Sequence, residues 1–264
     1  QGITTPHEEV FCPGHYRLGR RNWRCHKDSG HGHVNLKDAL KLSCDTWFYQ
    51  MADRMGIDPI AEMGKKFGVG IASGLDLPGE KRGLMPDEAF HDRVEKSTGG
   101  YQRGMALNTS IGQGSVLMHP LQLAMVYAAL INGGRMIEPR LVERIETADR
   151  RVERFALAPT KGESETRSDA IERFVEGDGP EVVKVFESKI QRFLDLPEDS
   201  LEAVREGLIA VTNEPGGTAY WRKSKTVPMA GKTGTAQVVR LGTKRLSAEE
   251  TAYFERDHAW FASY

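Results

Sequence analysis

The chain has little cysteine, no surplus charge and no long apolar run. Three cysteines in 264 residues are too few for a disulfide framework, and an odd number leaves at least one thiol unpaired. With 36 basic and 37 acidic side chains the formal charge is −1, which removes the electrostatic footprint of a nucleic-acid binder. No stretch reaches 18 consecutive apolar residues. The best candidate, Leu121 to Ile131, is 11 residues long and contains Gln122, so it lacks the form of a membrane span. Internal repeats and low-complexity tracts are absent too. What is present, 39 % hydrophobic and 28 % charged residues, is the balance of a globular chain with ample length for a core.

Two common motifs are also missing: there is no Gly-x-Gly-x-x-Gly and no His-Glu-x-x-His. Gly231-Lys232-Thr233 ends like a phosphate-binding loop, but Thr226 stands where that loop needs its first glycine. Val227 to Ala230 reads instead as the entry to a strand.

Periodicity gives the organisation. Residues 1–34, rich in Gly, His and Arg, have no sustained period and predict irregular backbone with short strands. Asn35 is a helix N-cap, with Leu36, Leu40, Cys44, Phe48, Met51 and Met55 at near-helical spacing, a break tolerated near Ser43 and a stop at Gly56. Pro59 to Phe67 predicts a short helix and residues 68–118 predict mostly loop. Pro120 to Ile131 predicts a buried helix closed by Gly133-Gly134, and Arg135 to Glu146 a strand. This mainly helical part covers residues 35–146. Residues 147–199 turn highly charged, with helix-forming segments near Ile171 and Val182 to Leu194, and read as a peripheral insertion. In residues 200–264, Leu201 to Thr212 predicts an amphipathic helix capped by Asp199 or Ser200. Met229 to Val239 and His258 to Tyr264 predict strands, with a helix at Ser247 to Arg256 between them. Helices before a strand-rich end argue an α+β fold.

Lys232-Thr233-Gly234-Thr235-Ala236, on a strand, offers a cation, two hydroxyls and a backbone edge. Such groups bind a peptide carboxylate and align an extended peptide. Gly234 keeps that edge free of a side chain. Lys-Thr-Gly is one signature of penicillin-recognising serine acyl-transferases, and Ser43-Cys44-Asp45 fits a second, Ser-x-Asn/Asp. Alone, Ser43 also reads as a helix N-cap and Asp45 as a first-turn carboxylate. Asn108-Thr109-Ser110-Ile111-Gly112-Gln113-Gly114 and His119-Pro120-Leu121-Gln122-Leu123-Ala124 lie between the two.

With these blocks in this order, the chain resembles the transpeptidase domain of class B penicillin-binding proteins, most closely the penicillin-binding protein 2 type that serves cell elongation. The resemblance rests on Gly30 to Gly32, Ser-Cys-Asp-Thr, Ile-Gly-Gln-Gly and Gly-Lys-Thr-Gly-Thr-Ala-Gln. It covers Cys12 to Gly134 and Leu201 to Tyr264, leaving out the charged insertion. It implies the penicillin-binding/serine β-lactamase-like fold, an antiparallel sheet with a helical subdomain, here incomplete at both ends. It also implies peptidoglycan D,D-transpeptidase activity in the full protein: a serine acylated by a stem peptide, then crosslinking, with β-lactams acylating the same serine.

The family's nucleophile lies in Ser-x-x-Lys, and no serine of this chain has Lys three residues on. The resemblance places that motif before Gln1, so the expectation for these 264 residues alone is no acyl-enzyme. In the implied scheme Ser43 relays a proton, Asp45 orients the second motif, and Lys232 supplies positive potential. Thr233 and Thr235 receive the substrate carboxylate, and the Thr235 N–H is half of the oxyanion hole. The expected setting is the periplasm, below one N-terminal membrane helix outside this chain, with a membrane glycosyltransferase as partner. A serine β-lactamase or D,D-carboxypeptidase shares the motif types, but the 189-residue gap from Ser43 to Lys232 and Ile-Gly-Gln-Gly argue against both. A non-catalytic β-lactam sensor or binding module is the alternative from another class.

Cys12, Cys25, His31 and Cys44 form C-x12-C-x5-H-x12-C, a thiol and imidazole set suited to structural tetrahedral zinc. A Cys12–Cys25 disulfide with buried Cys44, or three unrelated thiols, fits the spacing as well. His26 and His33 are substitutes for His31. Some members of the resembled type carry a zinc next to the second motif, and here Cys44 lies inside that motif.

Overall fold

Asn35 starts the first helix as a true cap: its side chain accepts the Asp38 N–H at 3.0 Å, and α1 runs Leu36–Lys41. The structure is a computed structural model describing residues 2–75, 78–149, 151–157, 171–237 and 257–264. It has two units, Gln1–Pro139 with Ile190–Tyr264, and Arg140–Lys189.

In the larger unit four short strands precede α1: β1 (Val10–Cys12), β2 (His15–Leu18), β3 (Arg21–Arg24) and β4 (Gly32–Val34). β1 pairs antiparallel with β4 and β2 with β3. The tolerated break near Ser43 is real, since α2 begins afresh at Asp45–Met55 and stops at Gly56. Then come α3 (Asp58–Lys66), α4 (Glu88–Val94), α5 (Arg103–Ser110), α6 (Pro120–Ile131) and β5 (Arg135–Ile137). The expectation of loop across 68–118 is thus corrected by α4 and α5. Each spans about two turns, too short for a periodic signal, and α4 is set by its cap, Asp87 Oδ1 accepting the Phe90 N–H at 2.8 Å.

The smaller unit holds β6 (Arg144–Glu146), β7 (Val152–Leu157), β8 (Ile171–Glu176) and β9 (Val182–Val185), paired β6 with β9 and β7 with β8. The helical expectation near Ile171 and over Val182 to Leu194 is wrong: these are strands, and β-branched residues such as Val182, Val183 and Val185 outweigh the surrounding charge. The strand expected over Arg135 to Glu146 is two strands in different units. β10 (Ile190–Phe193) returns to the larger unit and pairs with β5.

α7 (Glu198–Asn213) begins earlier than expected, with Pro197 at the cap position instead of Asp199 or Ser200. β11 (Gly231–Ala236) and β12 (His258–Ser263) form an antiparallel ribbon in which Gly234 faces Trp260. The helix expected at Ser247 to Arg256, and the end of the strand expected to reach Val239, lie outside the described residues.

Packing ties these pieces to one place. A Cβ on Gly207 of α7 would sit 2.4 Å from Leu40 Cδ1, so glycine lets α7 close against α1. At its far end α7 fixes the approach to β11, as Thr212 Oγ1 and Asn213 Nδ2 both donate to the Met229 carbonyl, at 2.6 and 2.9 Å. One cluster joins Val10, Cys12, Cys25, Val34, Ala39, Cys44, Trp47 and Met51, so the strand segment and α2 share a core. Buried Gln122 organises the loop before α4: its Nε2 faces the carbonyls of Gly68, Ile71 and Arg82 at 3.0, 2.8 and 2.9 Å.

Candidate active site

Ser43 sits between α1 and α2 at φ 53°, the one non-glycine residue with positive φ among the described residues. A left-handed serine costs roughly 1–2 kcal/mol, so the surrounding packing must impose it. The benefit is position. Lys232 Nζ, on β11, donates to Ser43 Oγ, and also to the carbonyl and hydroxyl of Thr233 at 3.1 and 3.3 Å. Ser43 Oγ in turn donates to Thr218 Oγ1 at 3.4 Å, and the Thr218 and Thr233 hydroxyls meet at 3.0 Å.

Two charges face each other behind this cluster. Burial pulls the Lys232 ammonium down to about 8 from its ordinary 10.5, and the Asp45 charge opposes that fall. Asp45, the first residue of α2, is pushed up to about 6 by burial and by the charge of Cys25. The His26 N–H, the His26 ring and Lys232 act against the rise. The His26 N–H reaches Asp45 Oδ2 at 2.9 Å, so Asp45 joins the cysteine segment to the site.

Gly234 is informative because nothing among the described residues requires it. A Cβ there would meet no atom closer than 3.9 Å. The protein's own packing leaves this stretch of β11 open, as an extended ligand lying on the strand would need. Thr235 stands next along, exposed, its carbonyl accepting from Gln113 Nε2 at 2.9 Å. Among the residues read from sequence, the fold brings Ser43, Lys232 and Thr233 into one hydrogen-bonded group, sets Asp45 behind them, and places Gly234 and Thr235 further along the same strand. Thr218 and the contact made by Gln113 were missed. Gln113 belongs to the Ile-Gly-Gln-Gly block, which by itself gives it no role, and Thr218 reads in sequence only as the end of a Gly-Gly turn.

Beside α2 the four sequence-chosen ligands converge: one ligand atom from each of Cys12, Cys25, His31 and Cys44 lies within 4.8 Å of all the others. His31 Nδ1 is 3.6 Å from Cys12 Sγ and 3.5 Å from Cys25 Sγ. A tetrahedral zinc, with bonds of about 2.3 Å to sulfur and about 2.0–2.1 Å to nitrogen, spaces sulfur and nitrogen about 3.5 Å apart. The donor set therefore fits that ion. All three cysteines are free and buried, with no Cys12–Cys25 disulfide formed. Hydrogen bonding from Cys44 lowers the Cys25 pKa most, against burial, with backbone help at Lys27, Thr46 and Asp45, and Cys44 is raised in return. Burial holds the His31 imidazole below its usual value, which favours the neutral ligand form. His33 is exposed and 4.0 Å from Glu9. His26 Nδ1 stands 4.0 Å from Cys25 Sγ, outside the set of four but in a second group with Cys25 and Asp45.

Strained serine, lysine-bearing strand and open glycine position stand together as the candidate site. The chain belongs to the penicillin binding protein transpeptidase domain family, whose match runs over residues 1–264. That match includes the charged segment, so excluding residues 147–199 from the resemblance was wrong; its charge hid a stretch that belongs to the family. The peptidoglycan D,D-transpeptidase MrdA of Acinetobacter baumannii is 31 % identical over 266 residues, covering 100 % of this chain and 34 % of the relative. The chain thus spans about a third of that relative's length. Pseudomonas aeruginosa PBP2, solved in complex with WCK 5153, superposes with a TM-score of 0.69 at 28 % identity, over 99 % of this chain and 47 % of that one. PBP2 from Helicobacter pylori, solved in complex with MreC, gives a TM-score of 0.71 at 25 % identity, over 98 % and 39 %.

Proposed function

We propose that this chain is the carboxylate-binding and proton-relaying part of a peptidoglycan D,D-transpeptidase of the elongation type. The observation that carries the reading is the hydrogen bond from Lys232 to Ser43 beside a strand edge left open at Gly234. In the whole protein a serine outside this chain attacks the carbonyl of the penultimate D-alanine of a stem peptide, and terminal D-alanine leaves. An amine of a neighbouring stem then takes the acyl group and restores the serine. Ser43 passes the proton to the leaving amine, and Lys232, charged at neutral pH, supplies the potential that holds the relay in order. The hydroxyls of Thr233 and Thr235 receive the substrate carboxylate. The Thr235 N–H is one donor of the oxyanion hole, worth roughly 3–4 kcal/mol of transition-state stabilisation.

The same reading assigns Cys12, Cys25, His31 and Cys44 a structural zinc. Four protein ligands leave no open coordination position, so its role is to pin the Ser43–Asp45 turn to the strand segment. It also places the chain in the periplasm, in a protein held by one membrane helix, acting with a membrane glycosyltransferase and, as the Helicobacter pylori relative does, with MreC or a partner of that kind.

The test is acylation of the full-length protein by a labelled penicillin. Stoichiometric, slowly reversed labelling of a serine upstream of Gln1 supports the reading. Absence of labelling, or of a Ser-x-x-Lys upstream, leaves the non-catalytic binding module as the better account, and rapid turnover of penicillin points to a β-lactamase.

A further inference from the structure

We propose that Thr218 belongs to the carboxylate end of this site, closing a hydrogen-bonded ring with Lys232, Ser43 and Thr233 that leaves one hydroxyl proton, that of Thr218 or of Thr233, for bound substrate. The inference rests on the transpeptidase reading above and adds to it a residue from a different element.

The argument is a count of donors and lone pairs. Lys232, an ammonium with protons and no acceptor, donates to Ser43 Oγ and to Thr233 Oγ1. Ser43 then spends its own proton on Thr218 Oγ1. Thr218 and Thr233 meet at 3.0 Å, and that contact uses one proton only. If Thr218 donates, Thr233 already accepts twice and its proton is left over. If Thr233 donates, Thr218 accepts twice and keeps its own. In either arrangement the ring Lys232–Ser43–Thr218–Thr233 closes with every donor inside it directed, and one hydroxyl proton remains for an outside acceptor. A carboxylate is the acceptor such a proton binds best, with the Lys232 charge adding to the attraction.

The backbone of Thr218 is fixed independently of its hydroxyl. Its N–H donates to the Lys41 carbonyl at 3.1 Å, and Ala219 N–H to the Val211 carbonyl at 3.1 Å. Gly217, just before it, has no room for a Cβ, which would fall 2.3 Å from the Val211 carbonyl oxygen. The Lys41 ammonium and Glu214 pair at 2.9 Å across the same junction. Thr218 itself is exposed, so its hydroxyl serves no packing need and is open to a ligand.

The experiment compares full-length wild type with Thr218→Val, Thr218→Ala and Thr218→Ser, using a penicillin with its free carboxylate and the methyl ester of the same penicillin. Thermal unfolding of each variant serves as the fold control. Loss of the hydroxyl in Val and Ala should lower the second-order acylation constant for the free acid by about tenfold or more, and for the ester by less than about threefold, with Ser within about threefold of wild type on both. Two hydroxyl-free variants guard against a local clash from either one. Equal losses on acid and ester, or no loss in Val and Ala while wild type is acylated, overturn the assignment of Thr218 alone. Wild type that takes up neither probe overturns the transpeptidase reading, and this proposal with it.

Discussion

Lys232 and Ser43, 189 positions apart, share a hydrogen bond between β11 and the α1–α2 junction, and one helix sets both ends of it. α7 packs on α1 through Gly207 and Leu40, and it holds the approach to β11 through Thr212 and Asn213 on the Met229 carbonyl. The two signature segments therefore meet because α7 binds each of them, and the strain at Ser43 is sustained by that packing.

The depressed pKa of Lys232 makes stability depend on pH in a stated direction. Folded Lys232 loses its proton near 8 and the unfolded chain near 10.5, so between these values the unfolded state binds more protons. The contribution of Lys232 to stability is then unfavourable below pH 8 and rises through that window, by on the order of 3 kcal/mol at the upper end. Denaturant unfolding of wild type and Lys232→Met at pH 7 and pH 10 should show the difference between them shrinking as pH rises. A constant difference would mean that Lys232 is not desolvated.

Zinc at Cys12, Cys25, His31 and Cys44 predicts a metal content near one equivalent in protein purified without chelator. Stripping it, or Cys25→Ser, should cost more than about 3 kcal/mol of stability and move the Ser43–Asp45 turn, because Cys44 is the residue between them. Elemental analysis and thermal unfolding with and without chelator decide this. Zinc below about a tenth of an equivalent rejects the site.

Much of this site was legible in the sequence, for reasons that differ by residue. Lys232, Thr233 and Gly234 are contiguous, and contiguous groups on one strand stay together however the chain folds. Asn35, Gly56 and Pro120 mark helix ends through local chemistry that tertiary context left alone. Thr218 was invisible because its role comes from a contact 175 residues away, with Ser43, and its local sequence is that of any Gly-Gly turn. α4 and α5 were missed because two turns carry too little period, and the strands of the smaller unit because dense charge masked their β-branched residues.

Gly234 separates the needs of the fold from those of the ligand. Among the described residues a Cβ at Gly234 meets no atom closer than 3.9 Å, so the unfolding free energy of Gly234→Ala should stay within about 0.5 kcal/mol of wild type or rise. Penicillin acylation of the full-length variant should nevertheless fall by about tenfold or more, since a methyl group on the open edge holds the ligand away from β11. Unchanged acylation would show that substrate does not lie against this strand.

Gln122 is the converse case, a buried polar side chain that serves the fold alone. Its Nε2 lies against the carbonyls of Gly68, Ile71 and Arg82, and its Oε1 takes the His119 N–H at 3.2 Å. Gln122→Met keeps the volume and removes the donor, leaving buried carbonyls without a partner at a cost of about 2–4 kcal/mol. Gln122→Glu should be worse at neutral pH, because it aims a carboxylate at three carbonyl oxygens. Burial would raise that carboxyl's pKa in the folded state, so the folded protein binds the extra proton and the destabilisation grows as pH rises above about 4. Urea unfolding of both variants at pH 4.5 and pH 8 tests this. A Gln122→Glu penalty that does not increase with pH would show that the loop is held by the Leu84–Leu117 backbone pairing and not by Gln122.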